Sequence, residues 1–118
     1  MTPQALKEFR AGLPDCELAV YADLGSRTVL GADGALRYPQ EYLDALCLGA
    51  AMLFETAVAA DDPADHVFVL GPTGSRGFFR NPDAPNEALC CICRPDADAA
   101  RLIRAAHAVL RGEGAGDE

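Results

Sequence analysis

Cys90, Cys91 and Cys93 stand almost side by side, with two further cysteines at Cys16 and Cys47. Thiols at that density can ligate zinc, and Cys16 or His66 would supply the remaining ligands. Structural zinc sites, however, usually present paired ligands from turns. Here the thiols lie inside the apolar run Ala88-Leu89-Cys90-Cys91-Ile92-Cys93, and cysteine is among the most buried residue types even when it ligates nothing. Packing is the expected role, and no metal is expected. Nucleophilic catalysis would need a thiol or hydroxyl beside a histidine and an orienting carboxylate. His66 follows Asp65 at the start of an apolar stretch and His107 lies between two alanines. Neither adjoins a nucleophile motif such as Gly-x-Ser-x-Gly. Gly71-Pro72-Thr73-Gly74-Ser75-Arg76-Gly77 has the glycines of a phosphate loop but not its Gly-Lys-Ser/Thr ending, so a hairpin turn is expected. Asp61, Asp62 and Asp65 lack the alternating acidic pattern and distal Glu of a calcium hand, and read as a solvated loop. No catalytic residue and no cofactor is expected, and the chain reads as a non-enzyme.

The chain has 118 residues, enough for one domain. Half of them are hydrophobic, which suffices to offset the entropy of ordering a core. Ten Lys and Arg against 18 Asp and Glu give a net charge of −8, the wrong sign for a surface that neutralises nucleic-acid phosphates. The apolar stretch 45–54 is far shorter than the ~20 residues of a membrane span. Lys7, Glu8 and Arg10 interrupt the region where an export signal would be apolar. An odd number of cysteines, three of them too crowded to bridge one another, fits reduced thiols in the cytoplasm.

These residues need elements to hold them. Thr2 and Pro3 open a helix with Leu6, Phe9 and Leu13 on one side, stopped by Gly12 and Pro14. From Cys16 to Asp23 apolar and polar residues alternate, placing Cys16, Leu18, Val20 and Ala22 on one face of a strand. Leu24-Gly25-Ser26 turns the chain into a returning strand at 27–31, closed by Asp33-Gly34. The longest helix is expected over 39–60 and further strands over 66–70, 75–80 and 87–94, with the two prolines of 81–86 excluding regular pairing there. Asp96 or Asp98 caps a last helix whose apolar side is Ala99, Leu102, Ile103, Ala106, Val109 and Leu110. The order α-β-β-α-β-β-β-α implies an α+β domain, a five-stranded antiparallel sheet with helices covering both faces.

The long helix carries more apolar surface than one sheet can bury. Leu43, Leu46, Cys47, Ala50, Phe54 and Ala57 form one stripe at helical spacing, and Ala45, Leu48, Gly49, Met52 and Thr56 form a second. A helix apolar most of the way round needs a cover on both sides, and a domain this small can hardly wrap it. The second stripe is therefore expected to be a dimer or partner surface, together with the edge strand carrying Val67 and Val69. The small residues Ala45, Gly49 and Ala50 would let a second helix approach closely.

The opening hairpin, Leu18-Ala19-Val20-Tyr21-Ala22-Asp23-Leu24-Gly25, resembles that of the roadblock, or dynein-light-chain-like, family. So does the close of the chain, from Leu89 through Cys93 and the Asp96-Ala97-Asp98 turn into 99–110. The resemblance runs over about 3–110 and includes the long helix, which falls where the family places its dimer helix. It implies a profilin-like or longin-like sandwich over 1–112, followed by a short acidic tail at 113–118. It further implies a bacterial roadblock-type, non-catalytic homodimer that scaffolds or regulates a small Ras-like GTPase. An alternative from another class is a small-ligand sensor with a pocket between sheet and helices, lined by Tyr21, Phe78, Phe79 and the cysteines.

Overall fold

The computed structural model describes residues 1–59, 66–72 and 74–112. Asp61, Asp62 and Asp65, Thr73 of the glycine-rich turn, and the tail at 113–118 lie outside them. The elements run α1 (Pro3–Ala11), β1 (Cys16–Asp23), β2 (Thr28–Gly34), α2 (Gln40–Ala59), β3 (His66–Gly71), β4 (Gly74–Asn81), β5 (Ala84–Cys93) and α3 (Ala99–Leu110). The helices start where side-chain chemistry predicts. The Thr2 hydroxyl accepts the Ala5 N–H with Pro3 at the first helical position, and the Asp98 carboxylate accepts the Arg101 N–H.

The strands form one sheet in the order β2-β1-β5-β4-β3, and each neighbouring pair is antiparallel. This is the five-stranded α+β arrangement the element order implies. Alternation along central β5 sends Leu89, Cys91 and Cys93 to the side covered by α1 and α3, and Ala88 and Cys90 to the side covered by α2. The first core also takes Leu6, Phe9, Phe79, Leu102 and Leu110. The second takes Leu18, Val20, Leu43, Leu46, Phe54 and Phe78.

Four expectations change. Cys16 does not share a face with Leu18: the β1–β5 register shifts between them, and the extra residue turns Cys16 to the α1/α3 side with Cys91 and Cys93. Asp33 and Gly34 extend β2 instead of closing it, pairing with Ala19 and Leu18. The proline-containing segment does pair, since β4 meets β5 through Asn81 and Ala84 around a tight Pro82-Asp83 turn. There the Asn81 side-chain oxygen accepts the Asp83 N–H at 2.9 Å. Pro85 is tolerated because the β1–β5 ladder starts only at Glu87, so its missing N–H removes no bond on that side. Finally, Phe78 and the pair Tyr21 and Phe79 lie on opposite faces of the sheet, so they line no common pocket.

Two stability predictions follow from the packing. A Cβ on Gly77 would stand 2.9 Å from the Phe79 ring and 3.3 Å from Leu102, so Gly77→Ala should cost about 1–3 kcal/mol in urea unfolding. Tyr21 is 2% exposed; its hydroxyl donates to Glu87 at 2.6 Å and accepts from Asn81 at 2.7 Å. Burial, with Glu87 adding to it and Asn81 opposing, pushes its phenol up from 10.0 to about 12. The folded state thus favours the neutral phenol. That stabilisation is complete below pH 10 and disappears as pH rises through about 12. Urea midpoints measured across this window should fall, and Tyr21→Phe should fall less steeply.

Candidate functional site

Cys16, Cys91 and Cys93 meet on the α1/α3 side because of the shifted register in β1. Hydrogen bonds from the Cys91 and Cys93 thiols hold the Cys16 thiol well below its ordinary range, against the effect of burial. Cys93 is pushed up by the same bond to Cys16 and then by burial, and Cys91 by burial first. Cys16 is nevertheless only 3% exposed. It borders a crevice of about 20 Å³ with Cys93, Leu13, Arg101 and Leu102, which is room for a water and not for a substrate. Cys90 lies across the sheet. Among the described residues no group of His, Cys, Asp or Glu is arranged to hold a metal ion. His66 and His107 contact each other, ring centroids 5.8 Å apart, and both contact Phe79. They form an aromatic cluster with it and Phe68 instead of standing beside a nucleophile. The glycine-rich segment is the β3–β4 hairpin, with Gly71 opposite Gly74.

What remains is surface. On α2, Leu43, Leu46, Cys47, Ala50 and Phe54 are buried as the first stripe predicts, and Ala51 joins them. The second stripe faces outward: Ala45 and Thr56 are exposed, Gly49 is half-buried, Leu48 is 42% and Met52 56% exposed. A Cβ on Gly49 would meet nothing within 4 Å. β3 is an edge of the sheet, paired with β4 alone. Val69 on it is 43% exposed, while Val67 is half-buried and packs against the α2-side core. Alternation puts both valines on the α2 side, so the stripe and the strand edge belong to one face of the molecule. No helix among the described residues is long and apolar enough to cross a membrane.

The sequence reading missed a second feature on the α2 side. An open surface groove of about 350 Å³ lies against the C-terminal half of α2, bounded by Leu24, Gly25, Ala51, Phe54, Glu55, Arg80, Pro85 and Asn86. The Arg80 guanidinium carbon sits 4.6 Å from the centroid of the Phe54 ring. Its Nε is buried and has no hydrogen-bond partner among the described residues. Glu55 is paired with Arg27 at 3.2 Å. A signal for Arg80 existed. In Gly77-Phe78-Phe79-Arg80 it falls two residues after Phe78, on the same face, where alternation calls for a core residue.

No protein-family model matches the sequence, and no curated protein matches it. Solved structures do match in shape. A Roadblock/LC7 domain from Streptomyces avermitilis superposes with a TM-score of 0.82 at 14% identity, over 94% of this chain and 92% of that one. MglB in a tetrameric arrangement gives 0.71 at 18% identity, covering 92% of this chain and 84% of that one. The gliding protein MglB of Thermus thermophilus gives 0.67 at 16% identity with the same coverage. With its strand order, its two helices on one face and its single long helix on the other, the chain has the Roadblock/LC7 fold.

Proposed function

We propose that this protein is a non-catalytic interaction module, that it works as a homodimer, and that the dimer scaffolds or regulates a small Ras-like GTPase. One observation carries the dimer: a long helix covers one sheet face by itself and still presents Leu48 and Met52 to water on the side of an unpaired strand edge. Exposed apolar area of this kind is covered at modest cost by a second copy, each large side chain contributing about 1.5–3 kcal/mol when fully buried. A free edge adds ready backbone donors and acceptors. Ala45 and Gly49 keep the helix surface low enough for a partner helix. Thr56 closes the stripe, its hydroxyl donating to the Met52 carbonyl at 2.9 Å. Of the edge residues, Val69 is the more available, since Val67 already serves its own core.

The GTPase assignment rests on the roadblock resemblance, and residues 1–112 are the module, with 113–118 an acidic extension. Five free cysteines suit a cytoplasmic protein. The charge of −8 would steer the module towards a basic face on its partner, an attraction that salt weakens.

Light scattering at micromolar concentration should give the mass of two chains. Leu48→Glu and Met52→Glu should each weaken association by about a hundredfold or more, because the charge would be buried without a partner. A monomeric parent protein, or variants of unchanged mass, would place the interface elsewhere or remove it. For the GTPase, nucleotide loading and hydrolysis by a co-encoded GTPase should change when the module is added. No change in either would leave scaffolding alone.

A further inference from the structure

Enclosed as they are, the thiols on the α1/α3 side have one kind of reaction partner within reach, which is each other. Cys16 opens β1, Cys93 closes β5, and the two stand directly opposite in the antiparallel register. We propose that Cys16 and Cys93 are a reversible disulfide site, oxidised by a small peroxide, which staples the end of the β1–β5 ladder.

The backbone hydrogen bonds define the spacing of the pair. Opposite residues in antiparallel strands exchange either both backbone bonds or neither, and those that exchange neither stand closer, with Cα atoms ~4.5 Å apart. The Cys16 N–H donates to the Leu13 carbonyl at 2.9 Å, and the next inter-strand bond runs from the Arg94 N–H to the Asp15 carbonyl at 3.0 Å. Cys16 and Cys93 are therefore a close pair of the second kind. Their spacing falls within the ~4.4–6.8 Å between Cα atoms that a disulfide spans. Both side chains belong to the α1/α3 core, where the two thiols already meet in a hydrogen bond. The other cysteines are less well placed. Cys91 stands opposite Ala19 and reaches Cys16 only diagonally, a relation that sets Cα atoms ~7–8 Å apart and beyond a disulfide's reach. Cys90 lies in the core across the sheet, and Cys47 is carried by α2.

The pair also sits where a small oxidant can arrive. Cys16 and Cys93 both line the crevice of about 20 Å³, which has room for a water, and hydrogen peroxide is little larger. They form the last rung of their ladder, where strands open most readily. One thiolate attacks a peroxide oxygen, the O–O bond breaks, and hydroxide leaves to become water with the thiol's proton, giving a sulfenic acid. The second thiolate attacks that sulfur, the S–O bond breaks, and a second water departs. Two thiols thus lose two electrons to one peroxide. The site lies on the face opposite the α2 stripe, so it does not depend on the dimer reading.

The full chain should be treated in native buffer with hydrogen peroxide, then unfolded in N-ethylmaleimide and weighed by mass spectrometry. Oxidised protein should take up three maleimides instead of the five its free cysteines allow, and dithiothreitol should restore all five. After tryptic digestion the bridge should join peptide 11–27 to peptide 81–101. Cys90→Ser and Cys91→Ser should keep it, and Cys16→Ser and Cys93→Ser should lose it. Oxidation in urea should instead give mixed pairings. The proposal is overturned if five maleimides are still taken up, if dithiothreitol does not restore the lost labels, if the bridge survives in Cys93→Ser, or if native and urea-unfolded chains give the same mixture. Should a serine variant fail to fold, fragmentation of the bridged peptide between Ile92 and Cys93 in the unsubstituted protein locates the bond by itself.

Discussion

A central strand that is apolar on both faces has to be covered twice, and this requirement shapes the whole molecule. Leu89, Cys90 and Cys91 of β5 have no exposed surface, and each successive residue needs a cover on the opposite side from the last. Two helices share the work on one side. On the other side α2 works alone, and a lone helix over a sheet has an outer surface that the chain cannot bury. The exposed Leu48 and Met52 are thus the remainder of a three-helix, one-sheet design in which the third helix must be apolar enough to seal a face unaided.

Much of this was legible in the residues themselves. The caps at Thr2 and Asp98 and the helical spacing of apolar residues on α2 and α3 report local physics, which a sequence carries directly. The outward stripe of α2 was equally legible, because the apolar area simply exceeded what one sheet can cover. The failures came where tertiary context decides. Strict alternation misplaced Cys16, since a single inserted residue in β1 reverses a side chain and leaves no local mark at Glu17. The prolines at Pro82 and Pro85 argued for a loop, but one sits in the turn and the other beyond the end of a neighbouring ladder. Arg80 was overlooked because a charged residue after two phenylalanines reads as a strand end. Its significance depends on Phe54, which is distant in sequence and meets it only through the fold.

The same dependence explains why the cysteines, conspicuous in the sequence, yield so little chemistry. Their crowding reflects a strand in which small apolar residues suit both faces. The shifted register then gathers three thiols into a sealed group with almost no access from solvent. The features that can meet a partner lie instead on the α2 side: an apolar outer surface and a strand edge.

The sheet is also a partition. Its two cores share strands, but alternation assigns each side chain to one chamber or the other, with Cys91 in the first and Cys90 in the second. An event on the outer surface of α2 can press directly on Leu46, Phe54 and Phe78, and it meets the α1/α3 chamber chiefly through the strands the two cores share. A change in strand twist or ladder geometry along β1, β5 and β4 is therefore felt on both sides at once. The molecule is built to keep packing on its two sides mechanically separate while holding both sides to a single frame.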